Sequence, residues 1–294
     1  ESADCDFPAL ARIACDAGVQ AQLTALLRQG TSYASAWEQL FAAHSERLDK
    51  PLSSPNDILA LSYTQAILRH GYDIEPLYVQ RQDSGYNSTE ISSTLASATA
   101  IRQALATGNT SWKQAVPPVT QDALPHAGYD ERLLWQLICY RLRLLSPAEI
   151  AARTECSEGL ENRLKQAADC GSLTEAVAAC SSKRYTASRC RRLLLQLLCD
   201  VPRETWAQQH AAYLRVLAFN DTGRQLLKQM KKTAALPLIT KLGRGWQYDV
   251  GQAEACHTQL ALELKATDVW SLLQKRPELN RQGNDYYLSP AYVK

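Results

Sequence analysis

Three groups of residues carry side chains whose type and spacing could do chemistry. The first is the junction SSTLASATAIR, residues 92–102. Ser97 or Thr99 can open a helix there, gathering unpaired N–H groups at an end whose dipole attracts anions. Arg102 follows within the first turns, so the junction has the makings of a phosphate grip. An ordinary capped helix with an exposed Arg shows the same pattern. The second group is Asn56 with Arg81. An Asn in a first helical turn can serve only its own backbone, and an Arg closing a strand can be a plain surface charge. In doubly wound sheets, however, ligands lie beyond the carboxyl ends of strands, where Arg81 is expected to stand. The third group is KRYTASRCRR, residues 183–192, which places Lys183, Arg184, Arg189, Arg191 and Arg192 around Tyr185. Cations at that density repel one another unless phosphates or carboxylates such as Glu158 and Glu161 answer them. Tyr185 adds a ring on which a base can stack.

Other chemistries find no support. The five histidines, at 44, 70, 126, 210 and 257, are scattered without metal-ligand spacing. The chain holds no Ser-His-Asp arrangement, P-loop, G-x-G-x-x-G or H-E-x-x-H pattern. The sequence therefore singles out no catalytic acid, base, nucleophile or metal site.

The elements that must position these groups are mainly helical. Apolar residues recur three and four apart over 7–29 and 33–48. In SSPNDILALSYTQAILRHG, Ser54 is an expected N-cap, Pro55 suits the first position and Asp57 complements the helix start. Leu59, Tyr63, Ala66 and Ile67 form one apolar face. IEPLYVQRQ (74–82) alternates and predicts a strand ending near Arg81. Residues 82–96 have loop composition and lead into a helix closed by Gly108. VPPV (116–119) reads as a linker, and the domain boundary is set there, giving domains 1–115 and 116–294. Helices are predicted at 130–145, 147–154, 157–169, 172–181, 186–199 and 221–231, then at 250–264 and 268–274. Strand character is confined to 213–219 and 237–240. The expected fold class is mainly α with an α/β portion: an incomplete Rossmann-like half followed by a helical domain with a small β element.

At 294 residues, 46% of them hydrophobic and 21% charged, the chain is a folded protein and neither a disulfide knot nor a disordered tail. No apolar run approaches the ~18 residues of a membrane span, and the opening ESADCDFPAL has no signal-peptide pattern. Nine cysteines without a C-x-x-C pair, several inside leucine-rich helical patterns, suit reduced thiols and a cytoplasmic location. Charge is uneven. Residues 1–115 hold 8 Lys and Arg against 12 Asp and Glu, whereas residues 141–244 hold 18 against 9, a net of +9. A basic half of that kind is what attraction to a nucleic-acid backbone needs, although an Arg-rich solvated surface looks the same.

Taken in order, SPNDILALSYTQAI, the YVQR strand end, ASATAIRQAL, SEGLENRLKQ, SKRYTASRCRR, RVLAFNDTGRQLLK with LPLITK, and GNDYYLSPAYV resemble one family. It is the bacterial tRNA(Met) cytidine acetate ligase family of the HIGH-type nucleotidyltransferase superfamily. The resemblance implies ATP-dependent activation of acetate, with acetyl-adenylate and pyrophosphate as products, followed by acetylation of N4 of the wobble cytidine of elongator tRNA(Met). It implies ATP, expected with Mg2+, as cofactor, and elongator tRNA(Met) and acetate as partners, with no membrane partner.

By position within matching motifs, Asn56 and Arg81 resemble the family's nucleotide-contacting Asn and Arg. Residues 97–102, with Ser97, Thr99 and Arg102, resemble the superfamily's second phosphate motif. Arg102 would then offset charge on the departing pyrophosphate. Lys183, Arg184, Tyr185, Arg189, Arg191 and Arg192 would hold tRNA. One departure stands beside the match: the family's N-terminal strand and histidine loop, of N-P-F-H-x-G-H type, has no counterpart here. The opening residues resemble the point just after the family's F-G-S-E turn. The expectation is a fragment or truncated homologue that does not activate acetate alone, with residues 1–115 reorganised or exposed where strands would pair. A non-catalytic tRNA-binding module, and another nucleotidyltransferase acting on a small metabolite, are the alternative functions.

Overall fold

The computed structural model describes residues 5–44, 55–80, 91, 94–124, 128–153, 156, 159–182, 185–204, 210–243 and 254–293. Its chain divides into two compact units, Glu1–Ala127 and Gly128–Lys294.

The first unit contains α1 (Phe7–Cys15), α2 (Ala17–Arg28), α3 (Tyr33–His44), α4 (Pro55–His70), α5 (Ala98–Thr107), a 3-10 turn (Ser111–Ala115) and α6 (Pro118–Ala123). The single helix expected over 7–29 is broken at Asp16. That residue is extended, and its carboxylate accepts from the N–H groups of Gly18 (2.8 Å) and Val19 (3.0 Å), capping α2. An Asp that can satisfy two orphan donors competes well with helix continuation. VPPV is likewise no open linker, because Pro118 takes the first position of α6.

Large apolar side chains from α1, α3 and α4 meet in one core, among them Phe7, Leu10, Trp37, Phe41 and Leu61. Each contributes about 1.5–3 kcal/mol by leaving water. Trp37 and Phe41, one turn apart on α3, stack with centroids 5.0 Å apart.

The apolar face of α4 formed by Leu59, Tyr63, Ala66 and Ile67 does not pack inward: Asp57, Leu61, Thr64 and Gln65 are buried, while Leu59 is 50% and Tyr63 68% exposed. Periodicity shows that a helix has faces but not which one packs inward. The strand expected from residue 74 is, as far as residue 80, open chain with no ladder; all strands among the described residues lie in the second unit. Alternation makes a segment strand-competent, but a strand exists only through a paired neighbour. Ser54 and Arg81 lie outside the described residues.

The second unit runs α7 (Glu131–Leu144), α8 (Pro147–Arg153), α9 (Leu160–Gln166), a 3-10 turn (Ala167–Asp169), α10 (Leu173–Cys180) and α11 (Ala187–Leu198). Then follow β1 (Leu214–Arg215), β2 (Ala218–Phe219), α12 (Asp221–Thr233), β3 (Leu238–Ile239), α13 (Glu254–Leu272), α14 (Asn284–Tyr287) and β4 (Ala291–Tyr292). The predicted strand at 213–219 is thus two short strands. β1 pairs in parallel with β3, and β2 in parallel with β4. The two helices predicted over 250–274 are one.

Ile138, Leu142, Ile150, Leu160, Leu164, Leu194 and Leu197 fill the helical core of this unit. Lys165 closes the end of α7, donating to the carbonyls of Leu142 (2.7 Å), Arg143 (2.9 Å) and Leu145 (2.7 Å). A cation there meets both the orphan carbonyls and the negative end of the helix dipole.

Candidate functional site

The exposed face of α4 forms one wall of a groove of about 530 Å3. Asn56 and Asp57 stand at its head and Leu59, Ala60, Tyr63, Thr64 and Ile67 continue along the helix; Cys5, Phe7 and residues 76–80 complete the lining. The stripe Leu59, Tyr63, Ile67 has helical spacing, so the apolar face of α4 is the groove wall.

Two contacts hold residues 76–80 in place, one to α4 and one to α1. Thr64 donates its hydroxyl hydrogen to the Ala60 carbonyl at 2.7 Å, so at its 2.7 Å contact with Tyr78 the phenol is the donor. Phe7 packs on the same ring, centroid to centroid 5.0 Å. Tyr78 thereby leans on Phe7 and Thr64, though still 39% exposed, while Leu77 and Val79 turn outward, 89% and 83% exposed. The sequence reading missed Tyr78 and Thr64; the signal was the Tyr flanked by two apolar residues at alternating positions.

One carboxylate, Asp57, lines the groove and is 2% exposed. Burial, with the nearby carboxylates of Asp57 and Asp6, pushes the Cys5 thiol up, so it stays a neutral thiol. The walls can hold a flat, partly apolar group, with the Asn56 amide supplying directional hydrogen bonds. Gln80 ends the described lining immediately before Arg81 in the chain. Arg81 itself lies outside the described residues.

Ser97, Thr99 and Arg102 do not line this groove. Ser97 caps α5, its hydroxyl accepting from the Ala100 N–H at 3.0 Å. Ala100 and Ala104 form the buried face of α5; Thr99 is half-buried, Arg102 is exposed, and Gly108 ends the helix in the left-handed conformation at φ 73°. The junction therefore has a capped helix start with an exposed Arg102.

The basic segment at 183–192 is only partly as expected. Lys183 and Arg184 lie outside the described residues. Tyr185 is 5% exposed and belongs to the core of the second unit, with the Arg189 guanidinium over its ring at 5.1 Å. A ring enclosed in that way cannot stack on a base, which corrects the expectation for Tyr185. Arg191 and Arg192 are exposed on α11. No group of three or more His, Cys, Asp or Glu among the described residues could hold a metal ion, and no described helix is long and apolar enough to cross a membrane.

Comparison with known proteins sets this arrangement in a family. The HIGH Nucleotidyl Transferase family matches residues 1–285. A tRNA(Met) cytidine acetate ligase of Syntrophomonas wolfei is 34% identical over 282 residues, covering 90% of this chain and 67% of the relative. That of Acetivibrio thermocellus is 30% identical, covering 88% and 66%; that of Leuconostoc mesenteroides is 35% identical, covering 82% and 62%. The chain spans about two thirds or less of the length of these relatives. Among solved structures, Thermotoga maritima TmcAL superimposes with a TM-score of 0.81 in its apo form and 0.82 bound with alpha-thio ATP. Both are 24% identical to this chain and cover 98% of it, with 74% and 73% of the solved chain matched, so they share its fold. The chain belongs to the HIGH nucleotidyl transferase family and, within it, to the tRNA(Met) cytidine acetate ligases.

Proposed function

We propose that the chain takes part in ATP-dependent acetylation of the wobble cytidine N4 of elongator tRNA(Met), residues 1–115 serving the nucleotide and the basic remainder serving the tRNA. The observation that carries the nucleotide half is the groove along α4, headed by Asn56 and walled by residues 76–80. In this reading the adenosine lies against Tyr63 and Leu59, with Asn56 and Arg81 fixing its polar edges. The start of α5 offers Thr99 and the exposed Arg102 to the phosphates, with the buried Ser97 fixing the helix start. An acetate oxygen attacks the α-phosphorus, pyrophosphate leaves, and Arg102 offsets the charge that grows on it. The cytidine amine then attacks the acetyl carbonyl carbon, AMP leaves, and the amine loses its proton to water. A magnesium ion binds chiefly phosphate oxygens and water, so it would arrive with the nucleotide.

Equilibrium titration of ATP against wild type and the Asn56→Ala, Arg81→Ala and Arg102→Ala variants tests this reading. Each loss of a charged or directional contact should weaken binding about tenfold. Equal affinity for all four proteins removes these residues from the nucleotide site.

A further inference from the structure

Helix α12 is strongly amphipathic, yet none of its residues is buried. Its residues Gly223, Leu226 and Leu227 line an open apolar pocket of about 430 Å3 shared with Val216, Phe219 and Val293. Leu226 is 54% and Val293 54% exposed. Gly223 is what lets the helix sit this close to β2, since a Cβ there would come within 3.1 Å of the Phe219 Cβ.

From one edge of that apolar face, at Arg224 and Lys231, a cationic stripe runs round to the opposite side of the helix. Arg224, Lys228, Lys231 and Lys232 recur at helical spacing, and against the single acid Asp221 they give α12 a net charge of +3. The three lysines are exposed and form no ion pair among the described residues. Arg224 makes only a loose 3.7 Å contact with Asp221 and sits 5.0 Å over the ring of Tyr292. Tyr292, 44% exposed, meets Phe219 edge-on at 5.9 Å. The surface thus joins an apolar, aromatic-edged pocket to a row of unanswered positive charges.

A second protein copy would bring the same +3 helix against itself or leave the lysines idle. A polyanion with flat apolar faces satisfies both features, because phosphates match the stripe while an unstacked base fills the pocket. Resting on the tRNA reading above, we infer that α12 and the β2–β4 pair form an RNA-binding surface. Lys228, Lys231 and Lys232 hold the backbone, and an unpaired base seats between Leu226, Phe219 and Val293, with Tyr292 flanking Phe219 at the rim.

Filter binding of an elongator tRNA(Met) transcript across a salt series, with the full chain, tests this. The triple variant Lys228→Gln/Lys231→Gln/Lys232→Gln, whose exposed positions leave the core untouched, should bind more weakly and lower the slope of log K against log salt by about two to three. Tyr292→Ala should weaken binding about tenfold at every salt concentration with the slope unchanged. Circular dichroism confirms that each variant is folded. If wild type binds and the triple variant matches it in affinity and slope, the surface is not the RNA site, while the tRNA reading stands. If wild type binds no RNA, both fail. If Leu226→Ser converts a sedimenting dimer to monomer without changing tRNA binding, the pocket is a self-association site and the inference is overturned.

Discussion

Arg215 on β1 donates to the carboxylate of Asp285 on α14, seventy positions further along the chain. The same guanidinium donates to Glu263 on α13 at 2.5 Å, and the other oxygen of Glu263 accepts from the Tyr213 hydroxyl. One arginine therefore ties β1 to two later helices. Asp285 is 6% exposed, and its second oxygen has no partner among the described residues. Removing one member of such a cluster leaves its counter-charge buried and unanswered. Arg215→Met is expected to cost about 3 kcal/mol or more, read as a lower urea midpoint for the second unit. An unchanged midpoint would show that the cluster is only decorative.

The phenol in this cluster should titrate late. Burial pushes the Tyr213 hydroxyl up, and its hydrogen bond to the charged Glu263 pushes it further. Ultraviolet titration of wild type should show a phenol that resists ionisation until the protein unfolds, and Tyr213→Phe should delete that last step. Deletion of an early step instead would place the ring in solvent.

Asp200 offers a cleaner pH effect. It follows α11 in a left-handed conformation at φ 54°, and its carboxylate accepts from Arg141 at 2.7 Å and Arg153 at 2.6 Å. Burial alone would raise this group, but the Arg153 hydrogen bond and the charges of Arg141, Arg153 and Lys265 outweigh it and hold the carboxyl below its ordinary value. A depressed carboxyl contributes stability above its unfolded pKa and loses it as pH falls through the folded value. Asp200→Asn keeps the tolerated backbone conformation and removes the charge. At neutral pH it should cost up to about 1 kcal/mol, since the site is part-exposed. The gap from wild type should close as acid protonates Asp200; a gap constant with pH would assign the cost to packing.

The cysteines divide by environment. Cys180 is fully buried, and burial, reinforced by Cys190 and Cys170, pushes its thiol up to about 12. At pH 8 almost none of it is thiolate, the form that reacts. Maleimide labelling followed by peptide mass analysis should find Cys180, Cys190 and Cys256 modified only after denaturation. Native labelling of Cys180 at the rate of Cys15 would contradict the packing of α10.

Local chemistry was the legible part of this sequence. Ser97 and Thr186 were readable as helix starts because a hydroxyl that satisfies an orphan N–H acts over three residues, and both accept that bond. What depends on a partner element was not readable. Leu59 and Tyr63 have core spacing but face a groove, and Leu77 and Val79 have strand spacing without a ladder. Tyr185, set among cations, had every mark of a surface stacking residue. Its burial follows from where α11 packs, which spacing within ten residues does not encode.

The groove makes a final demand on Tyr78 and Thr64. Because the Thr64 hydroxyl hydrogen is committed to Ala60, Tyr78 must donate, and that one bond anchors residues 76–80 to α4 from the middle of the segment. Tyr78→Phe keeps the Phe7 contact and removes only the donor. If residues 76–80 form a wall of the nucleotide site, the freed segment should weaken ATP about fivefold, the value of one hydrogen bond near 1 kcal/mol. Thr64→Val should do the same, and the double variant should cost no more than either single, giving a coupling energy of about 1 kcal/mol. Additive losses would mean that the two hydroxyls act separately, and loss of stability without loss of ATP affinity would detach this wall from the site.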